Sequence, residues 1–582
     1  MAWRNDEIAN HFFELAALYE LRGGEGFRVR AYERAARALS GHGSDLAALS
    51  ERELAAIPGV GKAVAGKVRE YLASGQIQTL ERLRAEIPAG LRELVRVPGL
   101  GPRKARVLHE ALGVDSVEEL TAAVAAGRVA GLPGMGARTQ ENLARALQRL
   151  AGGLPGIPLA AALTVAESLR DALAGAPGVT RVELAGSLRR MKATVHDLDL
   201  LAASTDPAAT GRAFAALPDV VEVLAAGDTK VSVRTRHGYQ VDLRVVAPGV
   251  WGAALQYFTG SQAHNVRVRE RAVKAGLKLS EYGLETREGE PLAAATEAEV
   301  YERLGLGWVP PLLREDRGEV EAAAAGTLPR LVTVDDVGGD FHCHTELSPD
   351  STAPLEVMVA AARERGYRFL AITDHAEKLL FGGASREAML AQRERVRALQ
   401  RRLGDIELLH GAELNIDRDG AVDYDGDFLD GFDVLVASVH DGLDQPGPEL
   451  TRRLVRACEH PAVNVIGHPT GRLLGARPGG DVDLEALCKA AARTGTALEV
   501  NGSPERLDLG DEQVRLALRL GATLSFGSDS HGPGHLGYMR FAAATAARGW
   551  AGPDRVLNAL PPAELRRFLA KGRDRAPHGT AP

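Results

Sequence analysis

The sequence predicts a multidomain protein with a helical front, a mixed α+β middle and a rear of parallel strands alternating with helices. Three observations point there. The chain has 582 residues, well beyond what one hydrophobic core serves. Apolar residues recur at helical spacing near the N-terminus, as in "DEIANHFFELAALYEL" and "RVRAYERAARAL". From Asp340 onward, short apolar strands alternate with helical stretches, and most of these strands end in His, Asp or Glu.

Composition narrows the class. Hydrophobic content of 45% and charged content of 25% are those of an ordinary globular chain, not a disordered or membrane one. No run approaches the ~18 apolar residues of a membrane span, and "MAWRNDEIANHFFELAALYE" carries acids where a signal peptide needs an apolar core. Cys343, Cys458 and Cys488 are isolated, which excludes a zinc ribbon and a disulfide framework. The expected location is the cytoplasm. Net charge is −7, which alone argues against nucleic acid, but residues 1–150 hold 21 Lys+Arg against 18 Asp+Glu while residues 331–582 hold 29 against 37. Such a chain can grip a polyanion at its front and hold metal ions at its rear.

Along the front, "IPGVGKAVAGKV" (57–68), "VPGLGPRKARVL" (97–108) and "LPGMGARTQENL" (132–143) repeat apolar-Pro-Gly-x-Gly before a helix. These look like helix-hairpin-helix turns, in which glycines let backbone N–H groups approach a DNA phosphate. Gly59, Gly61, Gly99 and Gly101 are the expected contacts. The plainer alternative, tight interhelical turns, suits one copy better than three. Residues 321–336 read as a connector.

"GSLRRMKATVHDLDLL" (186–201) poses a problem in charge. Asp197 and Asp199 stand two apart in a strand, so they share a face, and Asp242 in "YQVDLRVV" adds a third carboxylate on a neighbouring strand. Like charges so placed need a cation; Mg²⁺ suits a carboxylate-plus-phosphate site. Gly186 and Ser187 stand where backbone and hydroxyl could meet that phosphate.

"GSLRR", "HDLDLL", "VDLRVV" and "YFTGSQAHNVRVRE" (257–270) together resemble the family X DNA polymerases, in order and spacing, across residues 1 to about 320. The resemblance implies a nucleotidyltransferase palm and thumb. It makes Asp197, Asp199 and Asp242 catalytic metal ligands, and gives Ser187 and Arg190 the triphosphate. Tyr257, Phe258 and Gly260 would line the sugar pocket, with Asn265 and Arg269 at the base pair's minor groove. Lys67, with Arg28 and Tyr32, falls at the family's lyase position. A phosphate contact is an equal reading of Lys67, and Ala63 departs from the family's second lysine.

The rear carries His342, His344 and Asp350 in "DFHCHTELSPDS", His375 in "ITDH" and Glu413 in "HGAELN". His440, His468, Asp529 and His531 follow in "ASVH", "IGHP" and "GSDSH". Unpartnered buried histidines are costly, so nine His, Asp and Glu residues at or just beyond strand ends point to metal. The mixed imidazole and carboxylate set suits Zn²⁺, Mn²⁺ or Fe rather than Mg²⁺, with donors enough for three ions; Mn²⁺ or Zn²⁺ is the expected load. The set resembles the PHP (polymerase and histidinol phosphatase) family, which implies a distorted α/β barrel with phosphoesterase chemistry. Asp374 is expected to support a ligand from behind, and Cys343 and His410 to pack.

The divisions expected are 1–80 (helical, lyase-like, with a helix-hairpin-helix), 81–155 (a second helical DNA-binding part), 156–245 (palm), 246–330 (thumb-like part and linker) and 331–582 (PHP). The order resembles bacterial family X polymerases. It implies a monomeric repair enzyme that binds gapped or nicked DNA and deoxynucleoside triphosphates, fills short gaps, and degrades 3′ ends with Mn²⁺. The alternative is a repair nuclease whose polymerase half mainly binds DNA.

Overall fold

The computed structural model describes residues 2–570 apart from 24–25, 96, 98–99, 138, 142, 145–146, 148–155, 293 and 381. Gly99 therefore lies outside the described residues. The chain forms two compact units, one of residues 156–332 with 544–552, the other of 1–155, 333–543 and 553–582.

The first unit is built on a five-stranded sheet. Its order is Val179–Leu184, Leu198–Ser204, Gln240–Val246, Lys230–Thr235 and Val220–Ala226. The central pair, 198–204 and 240–246, is parallel; their neighbours run antiparallel. The helix Trp251–Thr259 buries Trp251, Ala254 and Leu255 with Leu201 and Ala203 of the sheet. Beyond it, the helix Gln262–Lys274 and a three-stranded antiparallel sheet enclose a second apolar core around Val268, Leu284 and Tyr301. The sequence made 321–336 a connector. The structure corrects this: Glu319–Ala325 is a helix whose Val320 and Ala323 join that core.

In the other unit, residues 2–147 contribute helices. Two pairs of helices pack on one another, Glu51–Ala56 with Lys62–Ser74 and Ala89–Leu94 with Pro102–Leu112. The second helix of each begins at a glycine, Gly61 or Gly101, that offers no side-chain cap. The rear carries seven parallel strands in sequential order: Gly339–Asp340, Phe369–Ile372, Glu407–Asn415, Val434–Ser438, Val465–Ile466, Ala497–Asn501 and Leu524–Gly527. Strands covered on both faces read as continuous apolar runs, and Val434–Ser438 is buried throughout. A parallel bridge between Cys343 and Ser530 links the extensions of the first and last strands, which nearly closes the barrel.

Candidate functional sites

The three aspartates converge on the parallel strand pair. Asp199 lies opposite Asp242 in the register, and Asp197 stands one residue before its strand. Burial, then the charges of Asp197 and Asp242, push the Asp199 carboxyl up to about 7. Burial would raise Asp242 as well, but Lys230, Ser232 and Gln240 hold it below the usual range. Lys230 Nζ is 2.7 Å from Asp242, so a cation already stands against this cluster. A crowded all-oxygen donor set of this kind fits Mg²⁺.

Gly186 closes one side. Its φ is +57°, and a Cβ there would lie 2.0 Å from Asp199 Oδ2, so only glycine permits this approach. Ser187 follows, half-buried. Arg189 is held by Glu297 at 2.7 Å, and Arg314 meets the same carboxylate at 2.5 Å. Arg190 is buried; its Nε donates to Glu315 at 3.0 Å and its Nη1 to the Thr259 carbonyl at 2.6 Å.

Tyr257 and Phe258 meet edge to face at 5.2 Å, and Phe258 also packs on the sheet's core. Gly260 carries φ +67° beside Arg190 Nη1. Asn265 is buried, and it donates to the Tyr257 carbonyl at 2.7 Å and accepts from Gln256 at 2.8 Å. Its amide thus braces the aromatic pair, a role the sequence did not suggest. Arg269 lies on an open groove with Val266 and Lys274.

In the helical region, a Cβ at Gly61 or Gly101 would meet nothing within 4 Å. Gly59 differs, with φ +88° and Arg34 Cγ 3.1 Å from its would-be Cβ. Lys67 is half-buried on the helix 62–74. Arg28 lies over the Tyr19 ring at 5.5 Å, and Tyr32 stacks on that ring at 5.6 Å.

All nine rear residues gather at the C-terminal ends of the barrel strands, where barrel chemistry sits. Four overlapping triads, His344–His375–His531, His342–Glu413–His468, His342–His344–Asp529 and His375–Glu413–His440, each bring three donor atoms within 4.8 Å of one another. Asp350 joins them, 3.5 Å from His375 and 3.2 Å from His531. His342 Nε2, His344 Nε2, Asp350 Oδ1, Glu413 Oε2, His440 Nε2 and His468 Nδ1 are buried without a hydrogen-bond partner. Buried donors left so are costly unless a cation takes them. The set fits divalent ions, and Glu413, common to two of the triads, would help to hold them. Burial would raise the Glu413 carboxyl, but His342, His440 and His375 hold it well below the usual range.

A supporting layer, mostly unanticipated, fixes the ring orientations. His342 Nδ1 pairs with Glu499 at 2.7 Å, His344 Nδ1 with Ser348 at 3.0 Å and His440 Nδ1 with Asn415 at 2.8 Å. Asp374 accepts from the Ser348 hydroxyl at 2.6 Å, the supporting place expected of it. Asp529 takes a left-handed φ of +55° and meets Arg506 Nε at 3.1 Å. Cys343 is fully buried, and His410 stacks on Phe432 at 5.0 Å. An acid inside an apolar run, as in "ALEVNGS", was the available signal for Glu499.

Comparison with known proteins adds to this geometry. The DNA polymerase beta thumb family matches residues 254–315, and the PHP domain family matches 340–503. A helix-hairpin-helix domain matches 3–77, and a SAM-like helix-hairpin-helix tandem matches 91–149. The DNA polymerase/3′-5′ exonuclease PolX of Bacillus subtilis (strain 168) is 35% identical over 562 residues, covering 96% of this chain and 98% of that protein. Probable phosphatases of Shewanella sp. (strain MR-4) and Shewanella oneidensis match at 32% and 31% identity. Each covers 40% of this chain, and 91% and 92% of their own lengths are matched.

Proposed function

The chain belongs to the PolX family of DNA polymerase/3′-5′ exonucleases, and on that premise we propose that it fills short gaps in DNA and trims 3′ ends at two separate metal centres. The observation that carries this reading is the pairing of Asp199 with Asp242 in one part of the chain and the orphaned imidazole and carboxylate atoms in another.

At the first centre, Asp197, Asp199 and Asp242 would hold Mg²⁺. Gly186 and Ser187 accept the triphosphate through backbone and hydroxyl, and Arg190 offsets its charge. Tyr257, Phe258 and Gly260 shape the sugar's seat, with Asn265 holding the aromatic pair and Arg269 at the DNA minor groove. The primer's 3′ oxygen attacks the α-phosphorus, the bond to the β-phosphate breaks, and pyrophosphate leaves. Divalent ions supply neutralisation of charge at the attacking and leaving oxygens.

At the second centre, His342, His344, Asp350, His375, Glu413, His440, His468, Asp529 and His531 would hold up to three ions, Mn²⁺ or Zn²⁺, which supply water activation. Glu499, Ser348 and Asn415 keep the imidazoles aimed. Water adds to the terminal phosphodiester and the strand departs with a new 3′ hydroxyl. Gly59, Gly61, Gly99 and Gly101 grip the DNA backbone, and Lys67 lies on the helix that the first hairpin opens. The five-part division read from sequence, a monomeric state and a cytoplasmic place of work complete this reading. No described helix is long and apolar enough to cross a membrane. A gapped duplex labelled at the primer's 5′ end tests it: the primer lengthens with nucleotides and Mg²⁺, and shortens with Mn²⁺ alone. A primer unchanged in both mixtures would refute it.

A further inference from the structure

Glu315 accepts from two arginines at once: Arg190 Nε at 3.0 Å and Arg548 Nη1 at 3.1 Å. Arg548 Nη1 also donates to the backbone carbonyl of Arg190 at 2.5 Å. Both arginines are buried, 8% and 4% exposed. One carboxylate is thus shared between two buried guanidinium groups, and Arg548 is bonded to both the carboxylate and the backbone of Arg190. Arg190 continues the turn that begins with Gly186 and Ser187, and its Nη1 rests on the Thr259 carbonyl beside Gly260. Arg190 therefore spans the phosphate turn and the sugar pocket.

Arg548 comes from a remote stretch of sequence, 233 residues beyond Glu315. Its segment, 544–552, is nevertheless part of the same compact unit. The segment is anchored without Arg548. Trp550 packs on the core around Tyr301, and the Ala551 carbonyl accepts from Val332 N–H at 2.9 Å.

We propose that Arg548 is a positioning residue of the nucleotide site, which shares Glu315 with Arg190 and fixes the Arg190 backbone so that its guanidinium meets the triphosphate. This rests on the reading of Arg190 as a triphosphate contact. With Arg548 gone, Glu315 turns wholly to Arg190 and competes with the incoming anion, while the Arg190 carbonyl loses its donor. The C-terminal third of the chain thus contributes to nucleotide affinity through one side chain, apart from any hydrolysis that it performs.

The test uses the full-length protein, single-nucleotide insertion on a gapped duplex, and the variants Arg548→Met, Arg548→Lys and Arg190→Met. Arg548→Met should raise KM for the nucleotide about tenfold, the scale of a lost charge-assisted hydrogen bond. Its kcat and 3′-end hydrolysis should stay near wild type, and Arg548→Lys should recover most of the KM. Adding Arg548→Met to Arg190→Met should raise KM no further, since one residue acts through the other. An unchanged KM in Arg548→Met would overturn the proposal. So would independent, multiplying effects in the double variant, or a joint fall of kcat and melting that lysine does not repair. A wild-type protein that inserts no nucleotide would instead refute the polymerase reading itself.

Discussion

Asp199 and Asp242 face each other across the one parallel pairing of their sheet, and Gly186 lies against Asp199 so closely that a Cβ would stand 2.0 Å from its carboxylate oxygen. Register and glycine together set where the carboxylate can be. Gly186→Ala should therefore push Asp199 aside without altering any charge. Nucleotide insertion should fall on the order of a hundredfold, as displacements of about 1 Å in a phosphoryl-transfer site cost, while 3′-end hydrolysis persists. Steady-state insertion rates check this, and a rate near wild type would show that the 186–187 turn is no part of the site.

The hairpin glycines can be probed cleanly at two positions. Valine at Gly59 would strain its left-handed backbone and meet Arg34, but Gly61 and Gly101 have open space about them. Gly61→Val and Gly101→Val should leave folding largely intact and weaken binding to every DNA sequence alike. Wild-type affinity should fall steeply with salt, as release of counterions requires. Titrations at several salt concentrations measure both effects, and equal binding by the variants would reduce the turns to interhelical joints.

Glu499 touches His342 from behind, and replacing its carboxylate with an amide tests that support. Glu499→Gln should lower metal content and reduce 3′-end hydrolysis by about 10- to 100-fold, with nucleotide insertion retained. Metal analysis of the purified variant alongside its hydrolysis rate decides. Full metal content with full rate would mean that the buried acid only packs.

The buried acid Glu297 makes a prediction about pH. Burial would raise its carboxyl, but Arg189 and Arg314 hold it at about 2 against an ordinary 4.5. A carboxyl depressed in the fold stabilises fully above its unfolded value and loses that stabilisation as pH falls through its folded value. Glu297→Gln should thus cost about 3 kcal/mol at neutral pH, and the gap to wild type should narrow between pH 4.5 and 2. Urea unfolding at pH 7 and pH 3 reads this. A gap independent of pH would contradict it.

The convergence of the nine rear residues was legible because most lie at or just beyond the ends of apolar strands, and parallel strands put such ends at one mouth. Asp197 and Asp199 were legible through their spacing of two, and Asp242 through its place in an apolar strand of its own. What escaped was whatever depends on distant pairing. Lys230 carries no motif, yet the 230–235 strand lies beside 240–246 and brings it to Asp242. Ser348 and Asn415 are ordinary residues until an imidazole rests on them. Residues 321–336 read as a connector because a run of alanines carries little periodicity, but the core around Tyr301 takes one face of the helix Glu319–Ala325. Arg548 could not be found at all, since nothing in sequence ties position 548 to the nucleotide turn.

The central claim is that one chain holds two centres, one for nucleotide insertion and one for hydrolysis of 3′ ends. The most direct measurement assays Asp242→Asn and His344→Ala on one 5′-labelled gapped duplex, with and without nucleotides. Asp242→Asn should lose extension and keep degradation; His344→Ala should lose degradation and keep extension. Loss of both activities in either variant, or of neither in both, would contradict the account.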